Sequence, residues 1–498
     1  MTKTPLTADE IALLLGQLER LAADDRQALA ALTPEQRRLL LQLADRLVNP
    51  SLAERRRLRR AFRSLDKARE RAHDTALLTA AATRRARIVP ELPLHRGAVP
   101  ASEDRLIGAE HEVELQQPRA CYICKAEYRR VHFFYHALCG ACGDFNYGKR
   151  QQRAELDGKV ALVTGGRIKI GYEIALILLR CGARVIVSSR FPVDAARRFA
   201  KEPDHAEWSR RLTIYGLDLR HLPSVERFAD HLVATLPRLD IVIHNAAQTV
   251  RRPPHYYEHL VAAEDRAALP SAAAAMLGVL EPVGGAAGGE ALALPSFVQS
   301  SAQLAVLPLL PEERQLDRAL FPEGFYDPDG QQVDLRQHNS WRMTLGEVST
   351  VELVEVHLVN AMSPFILTSR LRPLLVRHPG DWKHVVNVSA MEASFSRKKK
   401  TDKHPHTNMA KASLNMLTRT SAIDLVNDGI YMNSVDTGWV TDEDPLHHVE
   451  RKQDVHDFHP PLDTIDGAAR VLDPIFVGVN TGEHPWGHFW KDYRAVEW

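Results

Sequence analysis

Net charge, cysteine and long apolar runs are all scarce in this 498-residue sequence. Lysine and arginine number 64 against 63 aspartates and glutamates, so the chain lacks the basic excess of proteins whose main partner is nucleic acid. No uninterrupted apolar run is long enough to span a bilayer, and the opening residues MTKTPLTADE do not resemble a signal peptide. We therefore expect a cytoplasmic protein that neither crosses a membrane nor binds nucleic acid.

Cysteine occurs only five times, but four of the five form two CxxC pairs separated by 14 residues. Two such pairs can place four thiolates around one cation in a closed tetrahedral site. The spacing predicts a structural zinc site, with iron in a rubredoxin-like site as the alternative. Two histidines between the pairs, His132 and His136, are interpreted as surface or packing residues, because four thiolates already complete the site. The predicted ligands are Cys121, Cys124, Cys139 and Cys142.

Changes in composition divide the chain into four segments. Residues 1–90 have helical periodicity, 91–118 form a linker rich in proline and charge, 119–150 carry the cysteine pairs, and 151–498 form an α/β domain. Inside the last segment, residues 249–345 are irregular and rich in alanine, glycine and proline. That bias is typical of a mobile or loosely packed insertion.

The N-terminal segment contains three predicted helices. Capping signals at Thr7-x-x-Glu10 and Thr33-Pro34-x-Gln36 open the first two, and the third begins near Leu52. The third helix carries RRRLRR, and residues 51–90 hold 12 basic and 4 acidic side chains. A solvated helix face explains this charge most simply, because no aromatic residues alternate with it. The sequence also allows a protein partner to bind this helix or the cysteine module.

The segment from Val160 to Arg190 has the pattern of strand, glycine turn, helix and strand. The N-terminus of such a helix favours the pyrophosphate of a dinucleotide, because its free N–H groups and its dipole attract anions. Further strands are predicted at 212–217, 239–243, 384–389 and 430–435, with helices at 351–365 and 409–425. Strands that alternate with helices predict a doubly wound parallel sheet, a Rossmann domain of the α/β class.

These motifs together resemble the short-chain dehydrogenase/reductase family over residues 156–498, outside the insertion. The glycine turn matches the family's TGxxxGxG, VVNVSA carries its serine, VNAMSPF its helix asparagine, and TNMAK its lysine. The resemblance implies an oxidoreductase that transfers hydride between a nicotinamide and a carbonyl or alcohol. It implies catalytic roles for Asn360, Ser389 and Lys411, and cofactor contacts from Thr164, Gly165, Arg167, Lys169, Ile170, Gly171, Asp218, Asn245, Ala246, Lys411, Thr437 and Gly438.

Two positions depart from the family pattern. Lys169 replaces the middle glycine of the turn, and its ammonium is expected to contact a cofactor phosphate; the alternative is that its bulk displaces the dinucleotide. Thr407 replaces the catalytic tyrosine, and its aliphatic hydroxyl is a poor general acid near neutral pH. His404 and His406 stand just upstream and titrate in the required range, so either is a candidate proton donor, although solvated loop histidines are the simpler interpretation.

The end of the second strand indicates which dinucleotide is preferred. It reads Ser188-Ser189-Arg190, without the acidic residue that would bind the ribose hydroxyls of NAD. The Arg190 guanidinium suits a 2′-phosphate, so we expect NADP(H). The function expected is an NADP(H)-preferring oxidoreductase with a small-molecule substrate, which could form homo-oligomers. The alternative is a non-catalytic NADP(H)-binding sensor or scaffold that meets its partner through the zinc module.

Overall fold

A computed structural model of the chain describes residues 7–23, 26–88, 114–280, 300–327, 331–397 and 400–498. The chain divides into two compact units, Met1–Asp74 and Thr75–Trp498. The cysteine module and the α/β domain thus belong to one unit, together with residues 75–88. Most of the predicted linker, residues 91–113, lies outside the described residues.

The first unit is helical, as the sequence predicts. Its helices are Ala8–Ala23, Pro34–Val48 and the first part of Leu52–Ala80, with a 3-10 turn at Arg26–Ala31. Thr33 and Gln36 form a capping box, in which each side chain accepts the other residue's backbone N–H, at 3.2 and 3.0 Å. The leucines of these helices are largely exposed, so the predicted apolar faces are present but not buried.

The described part of the second unit contains a hairpin, formed by β1 (Arg119–Ala120) and β2 (Glu127–Tyr128), and a separate eight-stranded sheet. The strands of the sheet are β3 (Val160–Thr164), β4 (Arg184–Ser189), β5 (Leu212–Gly216), β6 (Ile241–His244), β7 (Lys383–Ser389), β8 (Ile430–Asp436), β9 (Phe489–Lys491) and β10 (Arg494–Val496). Their order in the sheet is β10-β9-β8-β7-β6-β3-β4-β5. All neighbouring strands pair in parallel except β10, which pairs antiparallel with β9.

Helices cover both faces of this sheet, because successive strand side chains point to opposite sides. Alternate residues of β3, Ala161 and Val163, pack with the helices Lys169–Arg180 and Thr464–Thr481. The intervening residues Val160 and Leu162 pack with helices on the other face. The remaining helices of the unit are Ala82–Ile88, Gly140–Gln151, Pro192–Phe199, His205–Trp208, Leu222–Thr235, Glu258–Ala262, Ser271–Ala274, Ser301–Leu304, Thr350–His357, Ser363–Leu375, Pro405–Leu425 and Leu446–His456.

This arrangement confirms the predicted doubly wound Rossmann fold and each of its six predicted strands. The sequence pattern did not predict the helix Thr464–Thr481 or the strands β9 and β10. The strand order reverses between β3 and β6, which in such sheets creates a crevice at the carboxyl ends of the strands.

The described parts of the insertion are better packed than their composition suggests. Tyr256, Tyr257 and Phe321 form a small core with Phe191, which follows β4. The Ile214 N–H of β5 also donates to the carbonyl of Met276 at 2.7 Å. The stretch rich in alanine, glycine and proline, on which the expectation of loose packing rests, falls largely on residues 281–299, which lie outside the described residues, so that expectation stays a prediction.

The continuous helical stretch Thr350–Leu375 has the length and mean hydropathy, 1.2, of a membrane-spanning helix. A core helix meets the same criteria, and the Leu367 and Leu371 side chains of this stretch are buried against the sheet.

Candidate active site and four-cysteine site

A cleft of about 1120 Å³ opens where the carboxyl ends of β3, β4, β6, β7 and β8 meet. Most of the predicted cofactor and catalytic residues line it. One predicted cofactor residue, Thr164, does not line the cleft. Two of the catalytic candidates, Asn360 and His406, do not line it either. The predicted residues that line the cleft are Gly165, Arg167, Lys169, Ile170, Gly171, Arg190, Asp218, Asn245, Ala246, Ser389, His404, Lys411, Thr437 and Gly438.

The glycine turn after β3 is held tightly against the end of β6. The Asn245 amide donates to the carbonyl oxygens of Thr164 and Gly165, at 3.1 and 3.2 Å. The Thr164 hydroxyl in turn accepts the N–H groups of Asn245 and Ala246, both at 3.1 Å. A Cβ at Gly171 would lie 2.3 Å from the Asn245 amide nitrogen, so a side chain is excluded there. These contacts fix the backbone in front of the helix Lys169–Arg180, and the N-terminus of such a helix favours an anion.

Lys169 adopts the left-handed conformation that its glycine equivalent would adopt, with φ of 55°. Its ammonium lies 3.5 Å from the carboxylate of Glu443, which belongs to the segment after β8. Lys169 lowers the pKa of the Glu443 carboxyl, so the pair is charged near neutral pH. The Glu443 carboxylate would therefore compete with the predicted cofactor phosphate for the Lys169 ammonium.

Arg190 follows β4, as expected, and its guanidinium donates to the Tyr257 hydroxyl at 3.0 Å. It forms no salt bridge with any carboxylate of the described residues, whereas Arg167 pairs with Asp194 at 2.7 Å. The Asp218 carboxylate likewise forms a salt bridge, with Arg220. Burial would raise the pKa of its carboxyl, but Arg220, which contacts it at 2.7 Å, outweighs burial and lowers the pKa.

Ser389 ends β7, and its hydroxyl is buried without a hydrogen-bond partner in the part of the chain described. A buried, unpartnered hydroxyl that lines a cleft is suited to a ligand oxygen, because its donor capacity is otherwise wasted. The Lys411 ammonium is close to the same strand and donates to the Val388 carbonyl at 2.6 Å. Burial lowers the pKa of Lys411 to about 8.

Asn360 lies in a π-helical turn, Leu358–Met362, between the helices Thr350–His357 and Ser363–Leu375. Its side chain is paired with the backbone of Gln248 in both directions, accepting the N–H at 2.7 Å and donating to the carbonyl at 3.0 Å. π-turns of this kind are frequent at functional sites. Here the turn fastens the loop after β6, and Gln248 rather than Asn360 lines the cleft.

The two candidate histidines occupy different environments. His404 precedes the helix Pro405–Leu425 and lines the cleft, and its Nδ1 is buried without a hydrogen-bond partner among the described residues. His406 is buried away from the cleft, with Nε2 3.4 Å from the Glu352 carboxylate. Thr407 is also buried and does not line the cleft.

Another residue of the helix Pro405–Leu425 lines the cleft where Thr407 does not. Asn408 lines the cleft between His404 and Lys411, at the i, i+4 and i+7 positions that share one helix face. The sequence analysis missed Asn408, although this spacing is visible in HPHTNMAK. The structure thus brings Ser389, Lys411, His404 and Asn408 to one cleft and leaves His406 outside it.

The four cysteines converge, as their spacing predicts. Their Sγ atoms all lie within 4.8 Å of one another, and those of Cys124 and Cys139 are 3.7 Å apart. Thiolates about 2.3 Å from a tetrahedral zinc lie about 3.8 Å apart, so the arrangement fits such an ion. His132 and His136 are packing residues, as expected. His132 Nδ1 accepts the Phe134 and Tyr135 N–H groups, and His136 Nδ1 lies 3.1 Å from the Thr83 hydroxyl.

Two family models and several related proteins match the parts of the chain that form the cleft. Residues 159–262 match a family model described as short chain dehydrogenase, and residues 338–460 match one described as enoyl-(acyl carrier protein) reductase. Uncharacterized protein R665 of Acanthamoeba polyphaga mimivirus is 32% identical over 370 residues, which cover 72% of this chain and 71% of that protein. Dehydrogenase/reductase SDR family member 13 of Bos taurus is 39% identical over 93 residues, only 19% of this chain and 24% of that protein.

Part of the chain is also similar to solved structures of low sequence identity. The Pseudomonas aeruginosa RhlG/NADP active-site complex is 17% identical, with a TM-score of 0.41 over 67% of this chain and 94% of that one. The NADPH-bound carbonyl reductase from chicken fatty liver is 15% identical, with a TM-score of 0.42 over 69% of this chain and all of that one, 100%. The family matches lie on either side of the insertion, on the strands and helices that carry the glycine turn, Asn360, Ser389 and Lys411. The chain therefore belongs to the short-chain dehydrogenase/reductase family.

Proposed function

We propose that this protein is an NADP(H)-dependent oxidoreductase that reduces a carbonyl or oxidises the corresponding alcohol. One observation carries the proposal: the unpartnered Ser389 hydroxyl and the Lys411 ammonium line the same cleft as the tightly held glycine turn. A cofactor bound at the turn and a substrate oxygen at Ser389 would thus share one cavity. The substrate class is small molecules with a carbonyl or hydroxyl group.

Each residue has a defined task in this proposal. A bound nicotinamide would exchange hydride with the carbonyl carbon of the substrate. Ser389 would donate a hydrogen bond to the carbonyl oxygen and orient it, and Lys411 would donate to a ribose hydroxyl from its position on Val388. His404 would deliver the proton that converts the developing alkoxide into the alcohol, which balances the hydride added at carbon. Asn360 would hold the Gln248 loop in place.

The preference for NADP(H) is supported by the charges around Arg190. The guanidinium is oriented by the Tyr257 hydroxyl and forms no salt bridge within the described residues. It interacts electrostatically with Asp218, but the salt-bridge partner of that carboxylate is Arg220. A 2′-phosphate would therefore meet an available cation and no free carboxylate. NAD(H) would gain nothing from this arrangement.

The four-cysteine cluster would hold one zinc ion in a structural site. Its four thiolates leave no coordination position for substrate, so the ion would stabilise the module and take no part in hydride transfer. Iron in the same four-thiolate geometry stays the alternative. A cytoplasmic location, a protein partner and a homo-oligomeric state stay predictions from the sequence.

The second candidate function is a non-catalytic NADP(H)-binding protein, and Thr407 favours it. Consumption of NADPH with a panel of aldehydes and ketones tests the proposal, with Ser389→Ala as the inactive control. NADPH binding without turnover would support the sensor instead.

A further inference from the structure

The first CxxC turn of the cysteine module forms part of the wall of the active-site cleft. Tyr122, between Cys121 and Cys124, lines the cleft, and its hydroxyl accepts the Trp439 backbone N–H at 3.0 Å. Trp439 directly follows Thr437 and Gly438, which the family resemblance assigns to cofactor binding. A side chain of the module therefore contacts the backbone of a predicted cofactor loop.

The same loop is closely packed around this contact. Gly438 has a positive φ of 75°, and a Cβ there would lie 2.6 Å from Leu462 and 3.4 Å from the Tyr122 hydroxyl oxygen. Within the loop's own strand, the Asp436 carboxylate accepts the Gly438 N–H at 3.2 Å, and Lys491 binds that carboxylate at 2.6 Å. The loop is thus held by its own sheet on one side and by Tyr122 on the other.

Tyr122 suits this task because its ring is itself anchored. The Lys125 ammonium lies 5.1 Å from the ring centroid, and the Tyr122 backbone N–H donates to the Ala137 carbonyl at 2.9 Å. The hydroxyl therefore occupies a fixed point that the module sets. The module is also docked on the α/β domain through Tyr135, whose hydroxyl donates to Asp466 at 2.5 Å.

We propose that Tyr122 is a positioning residue that holds the loop 437–440 in the shape required for NADP(H). The inference rests on the proposed function, since it assumes that the cofactor occupies this cleft. It gives the cysteine module a part in cofactor binding as well as in stability. Loss of the hydroxyl would free the Trp439 N–H, loosen the loop and weaken cofactor binding without changing the metal site.

The test compares Tyr122→Phe with Tyr215→Phe in the full-length protein. Tyr215 is a matched control because its hydroxyl also makes one hydrogen-bond contact, to His231 Nε2 at 3.2 Å, and the residue does not line the cleft. Two quantities are measured: hydrogen–deuterium exchange of the peptide that contains residues 437–440, and the NADPH dissociation constant. Metal content and melting temperature show whether either variant has lost the module.

We expect Tyr122→Phe to speed exchange in the loop and to raise the NADPH dissociation constant about 3- to 10-fold, the usual effect of one lost hydrogen bond. Tyr215→Phe should change neither quantity. Unchanged loop exchange in Tyr122→Phe would overturn the inference even if the protein proves to be an active reductase. Faster exchange with unchanged NADPH affinity would also overturn it. Failure of the unaltered protein to bind NADPH would instead remove the proposed function, and the role of Tyr122 in cofactor binding with it.

Discussion

The imidazole of His404 stacks on the indole of Trp341, with ring centroids 4.0 Å apart and ring planes inclined by 9°. His404 has a left-handed backbone, with φ of 40°, and its N–H donates to the Met343 carbonyl at 2.8 Å. A flexible surface histidine would make none of these contacts. The residue at the start of the helix Pro405–Leu425 is therefore held in one orientation at the cleft, as a proton donor must be.

We predict that His404→Ala lowers kcat by about 100-fold or more, because general acid catalysis is worth about that factor. NADPH affinity should stay the same, since the residue is assigned to the substrate end of the cleft. His406→Ala is the comparison variant, because His406 faces Glu352 and should affect stability rather than turnover. Steady-state kinetics and NADPH titration of both variants test this; equal kcat in His404→Ala and the unaltered protein would remove His404 as the donor.

The pH dependence of the reaction should carry the signature of His404. Burial lowers the pKa of its imidazole below the ordinary value. Carbonyl reduction needs the protonated ring, so its rate should fall as pH rises through an apparent pKa below about 6.5. Alcohol oxidation needs the neutral ring, so its rate should rise over the same range. A reduction rate that increases with pH there would contradict the assignment.

Arg190→Ala should remove most of the preference for NADPH over NADH. One charge-assisted contact to a phosphate corresponds to about 10- to 100-fold in affinity, and NADH binding should change little. The exposed Arg210 provides a control substitution outside the cleft. The test is to measure the dissociation constants of NADPH and NADH for the unaltered protein and for both variants. Equal affinities of the unaltered protein for the two nucleotides would exclude the predicted preference.

Substitutions of Lys169 and Glu443, which form an ion pair, should change NADPH affinity in opposite directions. Lys169→Ala should weaken NADPH binding about 10-fold if the ammonium contacts a phosphate. Glu443→Gln should strengthen it by a few fold, because it releases the ammonium and removes a carboxylate from the cleft. Calorimetric titration at low salt would measure both. Weaker binding in Glu443→Gln would show that the pair acts as a structural contact, not as a competitor of the phosphate.

The four-cysteine site should contain one zinc ion per chain. Cys142→Ser should release the metal and lower the melting temperature, because Cys121 is part of an apolar core that also includes Val440 and Leu462. Cys181→Ser is the matched control, since that thiol lies outside the cluster. Elemental analysis and thermal unfolding test the prediction. A metal-free protein, or disulfides among the four cysteines, would refute it.

Local patterns were sufficient to predict the six main strands and the convergence of the four cysteines. Strand periodicity and CxxC spacing are properties of short segments, so they can be recognised in the sequence without knowledge of the fold. The Lys169–Glu443 pair and the contact of Tyr122 with Trp439 join residues that are hundreds of positions apart. No local pattern indicates such pairs. Asn408 is different, because its helical spacing from His404 and Lys411 was available in the sequence.

Part of the inserted segment is organised by aromatic residues. Tyr256 and Tyr257 pack with Phe191 and line the cleft. A few aromatic residues can organise a segment whose average composition is typical of a loop, because each buries a large apolar area.

The central claim is that this cleft transfers hydride between NADP(H) and a carbonyl carbon. Deuterium transfer tests it most directly: the unaltered protein and Ser389→Ala are supplied with a carbonyl panel and with NADPH that carries deuterium at both hydrogen positions of nicotinamide C4. Mass spectrometry of the products then shows where the deuterium goes. We predict one deuterium on the former carbonyl carbon of at least one product, and none with Ser389→Ala. Tight NADPH binding with no deuterium transferred to any product would contradict the claim and leave the protein as a nucleotide-binding member of its family.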